Sequence, residues 1–412
     1  MYFNNKVIIA SLAVLLLSNS LMCAAQQKPF YCQAPPPQPS MDTTGMTLKM
    51  VQILFRHGDR TPLYNPGVGQ INEWDCGLST YLYPSFTEQT EINDSPVQFR
   101  RVNMPGRNVW PGNCTNGQLT NLGFAQHLEL GQQFRQLYVD QYRLLSPEFN
   151  MDEVWVRSTD VYRTFQSLQA QLSGLYPNLQ GHGRTVDAID IHTMDDTYEN
   201  MTPNDNNCAY LNTLYNNLTS LPAYLQFESE TAQLKSTVMS ALGVTSFPGW
   251  SSFMDYFFAN LCHDFPLPSG ITEDIVWQTY NASYYSDSYP FHTNQEYGRL
   301  AMSTFLEEVV INIQNFIKGA NPTKYILFSG HDDSVAPFVN LFGLYNIWPA
   351  YASHVEMEIW QDSQADYYLQ FKYNGVTYVL PTCPGNMCPM DTFLSLAYSI
   401  MVPNYTTICN QN

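Results

Sequence analysis

The stretch LKMVQILFRHGDRTP, residues 48–62, joins an apolar run to a cluster of charged residues. Its first part, residues 48–55, is mostly apolar and predicts a buried strand. That strand ends abruptly at Arg56-His57-Gly58, and two arginines flank one histidine within five residues. In open α/β sheets, ligands bind beyond the carboxyl ends of the strands. The stretch therefore predicts a strand and a ligand site at its end.

The rest of the chain alternates strand-like and helix-like segments. This alternation predicts an α/β fold with a mainly parallel central sheet flanked by helices. Arg157 follows one predicted strand, and His331 and Asp332 follow another, so we expect all three at the same sheet edge as His57. The predicted elements are strands over 153–156, 185–192 and 324–328 and helices over 119–142, 161–175 and 299–317.

Residues 195–295 differ in character from the segments on either side. They are rich in Asn, Thr, Ser and Tyr and show only helix-like apolar spacing, which predicts a smaller, mainly α-helical cap domain. The main α/β domain would then consist of residues 26–194 and 296–412. A length of 412 residues fits this division, because single cores stop growing near about 250–300 residues.

The first 25 residues predict a secretory signal peptide. Lys6 precedes an apolar run that breaks at residues 18–20, well short of the roughly 20 apolar residues that a membrane span needs. No later segment is long and apolar enough to span a membrane. A secreted or lysosomal/vacuolar lumenal location follows. Six Asn-x-Ser/Thr sequons predict a glycoprotein: Asn93, Asn113, Asn200, Asn217, Asn281 and Asn404.

Cysteine usage also points to an exported chain. Without Cys23, which lies in the predicted signal peptide, eight cysteines are left, and an even number favours disulfide bonds. Only Cys383 and Cys388, separated by a Pro/Gly-rich turn, suggest a pair on their own. Zinc is the alternative for that pair, but no second pair or nearby histidine completes four ligands.

The charge balance limits the ligand. The net charge is −18, from 18 Lys+Arg against 36 Asp+Glu, so we expect no nucleic-acid partner. Arginines grouped at strand ends would instead form a cationic pocket, and its expected ligand is a small anion. A metal site at His331, Asp332 and Asp333 is the alternative, but neighbouring arginines would repel a cation. We therefore expect neither a metal nor another cofactor.

These residue types suit phosphoryl transfer. A neutral imidazole attacks phosphorus, guanidinium groups hold phosphate oxygens with forked hydrogen bonds, and a carboxylic acid protonates the leaving alcohol. The sequence RHGDRTP, residues 56–62, resembles the signature of the histidine acid phosphatases, which include prostatic and lysosomal acid phosphatases and the phytases. Residues 118–135, 156–160, 191–193 and 331–332 resemble further segments of that family in the same order.

The resemblance implies an acid phosphatase that hydrolyses small phosphate monoesters through a phosphohistidine. His57 would be the nucleophile and Asp332 the general acid. Asp333 stands where the family commonly has threonine, and it competes with Asp332 for the acid role. The residues implied to bind phosphate are Arg56, Arg60, Arg157 and His331.

Two alternatives to this function stay open. One is a phytase acting on inositol phosphates, which is less favoured because the phytase-like His-Asp-Thr-Asn sequence is absent here. The other is a secreted glycoprotein that binds phosphorylated ligands without hydrolysing them. The resemblance also implies a Cys383–Cys388 and a Cys208–Cys409 disulfide, and animal members suggest a homodimer.

Overall fold

The computed structural model describes residues 30–67, 72–82, 99–104, 110–177, 179 and 188–410. The predicted signal peptide and Asn93 lie outside this range. The strands are β1 Thr47–Arg56, β2 Tyr81–Leu82, β3 Phe99–Arg100, β4 Val154–Ser158, β5 Tyr325–Gly330, β6 His354–Gln361, β7 Tyr367–Tyr373, β8 Val376–Tyr378 and β9 Cys388–Pro389. The helices are α1 Asn121–Arg135, α2 Tyr162–Leu175, α3 Tyr210–Thr219, α4 Pro222–Ala241, α5 Trp250–Cys262, α6 Glu273–Thr293, α7 Gln295–Ile317, α8 Asp332–Asn340, α9 Met390–Ile400 and α10 Tyr405–Cys409.

The main sheet is mixed and has the strand order β4-β5-β1-β6-β7-β8, with β9 paired to β7. The strands β4, β5 and β1 are parallel, whereas β6 to β9 add antiparallel pairs. Parallel central strands flanked by helices confirm the α/β class. The strand predicted over 185–192 is wrong for its described part, where only His192 forms an isolated bridge, to Arg157.

The strand β1 lies between the parallel and the antiparallel part of the sheet and is buried over its last seven residues. Because successive strand residues face opposite sides, β1 contributes to two cores. Met50 and Leu54 pack in one core with side chains from α7, α8 and α9. Val51, Ile53 and Phe55 pack in the other with side chains from α1 and α2. This burial fixes the position at which β1 ends.

Residues 195–295 form the helices α3 to α6 and contain no strand. Part of α4, α5 and α6 packs in a third core together with Tyr31 and Trp74 from the N-terminal part of the chain. The helical content agrees with the sequence, while a separate cap domain stays a prediction. Within the described residues, no helix is long and apolar enough to cross a membrane.

The described part of the chain contains four disulfides, of which two join segments about 200 residues or more apart. Two of them are the pairs that the resemblance implied, and a third ties the segment before β1 to α5. The pairs are Cys32–Cys262, Cys76–Cys114, Cys208–Cys409 and Cys383–Cys388.

The sequon at Asn200 needs correction. Asn200 is 8% exposed, and its side-chain amide donates a hydrogen bond to Glu308 over 3.3 Å. A sequon carries no information about burial, and a glycan on Asn200 would have to displace this buried contact in the folded chain. The other described sequon asparagines are exposed, and their glycosylation stays a prediction: Asn113, Asn217, Asn281 and Asn404.

Candidate active site

The loop after β1 begins with a close approach of two glycines. A Cβ atom at Gly58 would lie 2.4 Å from the carbonyl oxygen of Gly123 in α1, so only glycine fits here. The amino end of α1 is capped by Thr120, whose side chain accepts a hydrogen bond from the backbone N–H of Gly123. The close packing holds the signature loop against a rigid helix.

His57 is buried directly after the end of β1. Its Nδ1 lies 2.7 Å from the carbonyl oxygen of Gly58. Because a carbonyl oxygen only accepts hydrogen bonds, Nδ1 carries the hydrogen and Nε2 carries the lone pair. Burial lowers the pKa of His57 well below its ordinary value, and the positive charges of Arg163 and Arg56 lower it further. The ring is therefore neutral, with a nucleophilic Nε2.

Arg56 is fully buried and held on several sides. Its guanidinium donates to the carbonyl oxygen of Pro349 over 2.6 Å and to the hydroxyl of Tyr31 over 2.7 Å. The rings of Tyr31 and Tyr351 lie 4.7 and 4.4 Å from its Cζ atom, in cation–π contact. Asp332 forms an ion pair with it at 2.9 Å. Arg56 is thereby fixed in one orientation.

Arg60 is also buried and is held by a carboxylate from the helical segment. Its Nη1 lies 2.8 and 2.9 Å from the two carboxylate oxygens of Asp255 in α5. Asp255 also accepts a hydrogen bond from the backbone N–H of Leu63. One carboxylate thus fixes both the guanidinium and the loop that follows it.

The structure does not bring Arg157 to this group, which corrects the expectation that it binds phosphate. Its guanidinium pairs with Glu308 of α7 at 2.5 Å and with Glu199 at 2.6 Å. Arg157 is still inside β4, and its side chain extends toward α7 instead of over the strand end. Two carboxylates already neutralise this arginine.

Arg163 lies in the site instead, although it is not among the residues that the sequence predicts to bind phosphate. It is in the first turn of α2, and its Nη2 donates to Nδ1 of His331 over 3.3 Å. Burial and the charge of Arg60 lower the pKa of Arg163 to about 10, so it stays charged. The signal was available, because Arg163 follows Arg157 by six residues at the start of a predicted helix.

His331 lies between β5 and α8, and its ring centroid is 5.5 Å from that of His57. The Nδ1 atom accepts from Arg163, so Nε2 carries the hydrogen and donates to the hydroxyl of Thr159 over 2.9 Å. Burial and the charge of Arg163 lower the pKa of His331 well below its usual range. The structure thus places a second neutral histidine beside His57.

Asp332 and Asp333 open α8 and differ in electrostatic environment. Burial alone would raise the pKa of Asp332, but the positive charges of Arg56 and Arg60 lower it to about 2. Asp332 also accepts a hydrogen bond from the indole of Trp348 over 3.0 Å. Asp333 is exposed at the cavity, and desolvation on its inner side together with the neighbouring Asp332 charge raises its pKa. The pKa values of the two carboxyl groups are therefore shifted in opposite directions.

A cavity of about 370 Å³ opens beside these residues. Arg60 and Asp332 line it together with side chains from α5, α6 and α8. Among the described residues, no group of three or more His, Cys, Asp or Glu side chains is arranged to hold a metal ion. The lining residues are Tyr31, Arg60, Leu63, Pro203, Ser251, Ser252, Met254, Asp255, Asp287, Phe291, Tyr297, Asp332, Asp333, Ala336, Pro337, Tyr345 and Trp348.

Several known proteins are similar to this chain over most of its length. Counting factor 60 of Dictyostelium discoideum is 52% identical over 408 residues, which cover 98% of each chain. Lysophosphatidic acid phosphatase type 6 of Bos taurus is 28% identical and covers 91% of this chain and 89% of its own. Prostatic acid phosphatase of Bos taurus is 27% identical, with 88% of this chain and 87% of its own covered.

Solved structures share the fold. The phytase from Citrobacter braakii superposes with a TM-score of 0.57 at 18% identity, covering 87% of this chain and 99% of that one. A sequence model of the histidine phosphatase superfamily (branch 2) matches residues 47–374. The match includes the strand, loop and helix that place His57, as well as Arg163, His331 and Asp332. The chain belongs to the histidine phosphatase superfamily, branch 2.

Proposed function

We propose that this protein is an acid phosphatase that hydrolyses phosphate monoesters through a phosphohistidine on His57. The observation that carries the proposal is a buried, neutral His57 with its Nε2 lone pair available, next to Arg56, Arg60 and Arg163. Membership of the superfamily supports it, as do relatives named as acid phosphatases.

The first half-reaction transfers the phosphoryl group to the enzyme. The Nε2 lone pair of His57 attacks phosphorus and forms the N–P bond while the P–O ester bond breaks. Arg56, Arg60 and Arg163 would hold the equatorial oxygens, where negative charge is spread in the transition state. The leaving oxygen departs with the bond electrons and takes a proton from a carboxylic acid, which gives the free alcohol.

The second half-reaction restores the enzyme. Water attacks the phosphohistidine, the N–P bond breaks, and its electrons return to Nε2 of His57. The carboxylate formed in the first step accepts the proton that the water loses, so inorganic phosphate and the starting protonation state are recovered. His331 forms a wall of this site. It would donate to a phosphoryl oxygen only if its Nε2–H releases the Thr159 hydroxyl, because its Nδ1 lone pair accepts from Arg163.

We assign the proton donor to Asp332. Its low pKa arises from the arginines that the phosphate would also contact. A bound phosphate would place negative charge beside Arg56 and would compete with Asp332 for that guanidinium. The pKa of Asp332 would then rise, so that its carboxyl group can hold a proton. Asp333 is the competing donor, because its pKa is already raised and it lines the same cavity.

Hydrolysis of p-nitrophenyl phosphate between pH 3 and 8 tests the function. For His57→Ala we expect a loss of about 10³-fold or more in kcat, because no other side chain replaces the nucleophile. Quenched wild-type enzyme should contain a phosphoenzyme that survives base and is lost in acid. His192→Ala, an exposed histidine at the edge of β4, is the matched control. Near-normal activity of His57→Ala would refute the mechanism.

The two donors are separated by substrates with different leaving groups. Asp332→Asn should reduce hydrolysis of an alkyl phosphate far more than that of p-nitrophenyl phosphate, whose leaving group needs little protonation. If Asp333→Asn alone gives this pattern, Asp333 is the donor. If the wild-type protein binds phosphate but hydrolyses no ester, the alternative of a non-catalytic phospho-ligand-binding protein is supported.

The location is part of the same proposal. Four disulfides favour an oxidising compartment, either outside the cell or in a lysosomal or vacuolar lumen. Cell fractionation with an antibody against the chain tests this, and a cytosolic protein would contradict it. A homodimer stays a prediction that sedimentation of the purified protein can check.

A further inference from the structure

We propose that the cavity beside Asp332 selects monoesters whose leaving group is apolar and carries no further phosphate, and that Asp287 is a specificity-determining residue. This inference rests on the proposed function and names the substrate class of that site. It follows from where the cavity lies, from its apolar walls and from the distribution of charge around it.

The cavity lies where a leaving group would extend. Arg60 of the proposed phosphate-binding group and Asp332, the proposed donor, both line it. An ester whose phosphorus faces His57 therefore directs its alcohol portion into this space. The volume of about 370 Å³ is that of a small organic group and lies within the usual range of ligand pockets.

Much of the cavity wall is apolar. Met254 and Phe291 come from the helical segment, Pro337 from α8, and Trp348 from the loop before β6. Leu63 lines the same cavity and is 50% exposed. Removing apolar surface from water is favourable, so an alkyl or aromatic leaving group would be stabilised by these side chains.

The cavity offers a second phosphate no free cation in its described lining. Its lining contains four carboxyl groups but one basic side chain, Arg60, which already pairs with Asp255. Asp287 on α6 accepts hydrogen bonds from the hydroxyls of Ser283 and Ser286 and has no basic partner among the described residues. A second phosphate on the leaving group would meet these carboxyl groups without a cation to receive it.

Asp287 is the carboxyl group of this lining that has neither a reacting role nor a basic partner among the described residues. It lies on α6, whereas the proposed nucleophile, donor and arginines lie on β1, its loop, α2 and α8. Burial and the charge of Asp332 raise the pKa of Asp287 to about 7, with the Ser283 hydrogen bond opposing that rise. A change at Asp287 should therefore alter the choice of leaving group without removing a reacting group.

Two matched pairs of substrates test the proposal through kcat/KM. Cyclohexyl phosphate against inositol monophosphate isolates the apolar walls, because both leaving groups are ring alcohols that need the same protonation, and inositol monophosphate against inositol hexakisphosphate isolates the extra phosphates. For the wild type we expect each first member to be preferred, by about tenfold in the first pair and about 100-fold in the second. Phosphocholine tests the reverse idea, a cationic leaving group drawn to the carboxyl groups.

Variants assign the selection to Asp287. Asp287→Lys should raise the ratio of kcat/KM for inositol hexakisphosphate to kcat/KM for cyclohexyl phosphate about tenfold, because the new cation would receive a second phosphate. Asp287→Asn keeps an acceptor for Ser283 and should give a smaller rise, which preserves the test if the lysine variant fails to fold. Asp274→Lys, an exposed position on the same helix, is the charge-matched control.

The outcomes are distinguishable. If no ester is hydrolysed, the proposed function fails. If cyclohexyl phosphate is hydrolysed but the hexakisphosphate is used equally well, or if Asp287→Lys behaves like Asp274→Lys, only this inference fails. Faster hydrolysis of phosphocholine than of cyclohexyl phosphate would also overturn it, in favour of a cationic leaving group.

Discussion

Arg56 and Arg157 occupy similar positions and differ in their surroundings. Each lies at or near the carboxyl end of a strand in the parallel part of the sheet, and each is buried. Arg56 pairs with one carboxylate and otherwise contacts neutral groups, the Tyr31 hydroxyl and a backbone carbonyl. Arg157 pairs with two carboxylates. The local charge balance, and not the position after a strand, decides whether an arginine is available to an anion.

The carboxyl groups beside the two arginines show the same difference. Asp332 faces Arg56 and Arg60, and these positive charges lower its pKa. Glu199 is buried and shares Arg157 with Glu308, so its pKa is raised. The signature site is thus rich in positive charge, whereas the Arg157 cluster is rich in negative charge. A phosphate can therefore bind at the Arg56 site, whereas at Arg157 it would first have to displace the two carboxylates of Glu199 and Glu308.

The largest contrast should come from replacing each arginine by alanine. Arg56→Ala should reduce kcat/KM for p-nitrophenyl phosphate by about 10³-fold, because a fixed charge-assisted donor to the transition state is lost. Arg157→Ala, corrected for the folded fraction, should lie within about threefold of the wild type. Equal losses in the two variants would return Arg157 to the phosphate site.

Replacing Arg163 should give the next largest loss of activity and should also change the pH dependence of kcat/KM. We expect Arg163→Ala to lower kcat/KM by about 100-fold. The positive charge of Arg163 lowers the pKa of His57, so its removal should raise that pKa. Protonated His57 has no lone pair, and the acid limb of the kcat/KM profile should therefore move to higher pH.

The pH profile of Arg163→Ala is best measured beside that of Arg157→Ala. An unshifted acid limb in Arg163→Ala would mean that Arg163 does not act on His57. A shift in both variants would instead indicate a general change in protein charge.

Removing Arg157 should mainly affect stability. The substitution Arg157→Met leaves two carboxyl groups, Glu199 and Glu308, without their cation, and the loss should be about 3 kcal/mol. The double variant Arg157→Met/Glu199→Gln, in which one of the two carboxyl charges is also removed, should recover part of this loss. Urea denaturation of both variants measures the difference. A single variant as stable as the wild type would show that the cluster is solvated and not a buried ion pair.

Elements with regular patterns could be predicted from sequence, and elements with compensated charges could not. The strands β1, β4 and β5 and the helices α1, α2 and α7 show local apolar patterns. By contrast, β6 contains Glu356 and Glu358, two fully buried carboxylates in the middle of a strand. Lys372 on β7 pairs with both of them, at 2.6 and 2.9 Å. Such pairing exists only after the strands meet.

The active-site residues also divide into those that the local sequence predicts and those that only tertiary packing brings in. His57, Arg60 and Asp332 directly follow strands, so their position is readable from local sequence. Tyr31 was missed because the segment before β1 reaches Arg56 only through tertiary packing, with the Cys32–Cys262 disulfide tying it to α5. Asp255 was missed for the same reason, since α5 meets Arg60 across 195 residues of sequence.

We expect the smallest effect from Glu199→Gln, which removes one of the two negative charges that face Arg157. Glu199→Gln keeps an acceptor for the backbone N–H groups of Asn200 and Met201, and Glu308 still balances Arg157. The pKa of Glu199 is raised on folding, so its protonation stabilises the fold below about pH 4, and this contribution is lost as pH rises through the folded pKa. Urea denaturation at pH 4 and pH 7 should therefore show the variant gaining on the wild type at pH 7, by about 1 kcal/mol or less. A clear loss at pH 7 would mean that the Glu199 charge stabilises the cluster, and that the contrast with Asp332 is one of position alone.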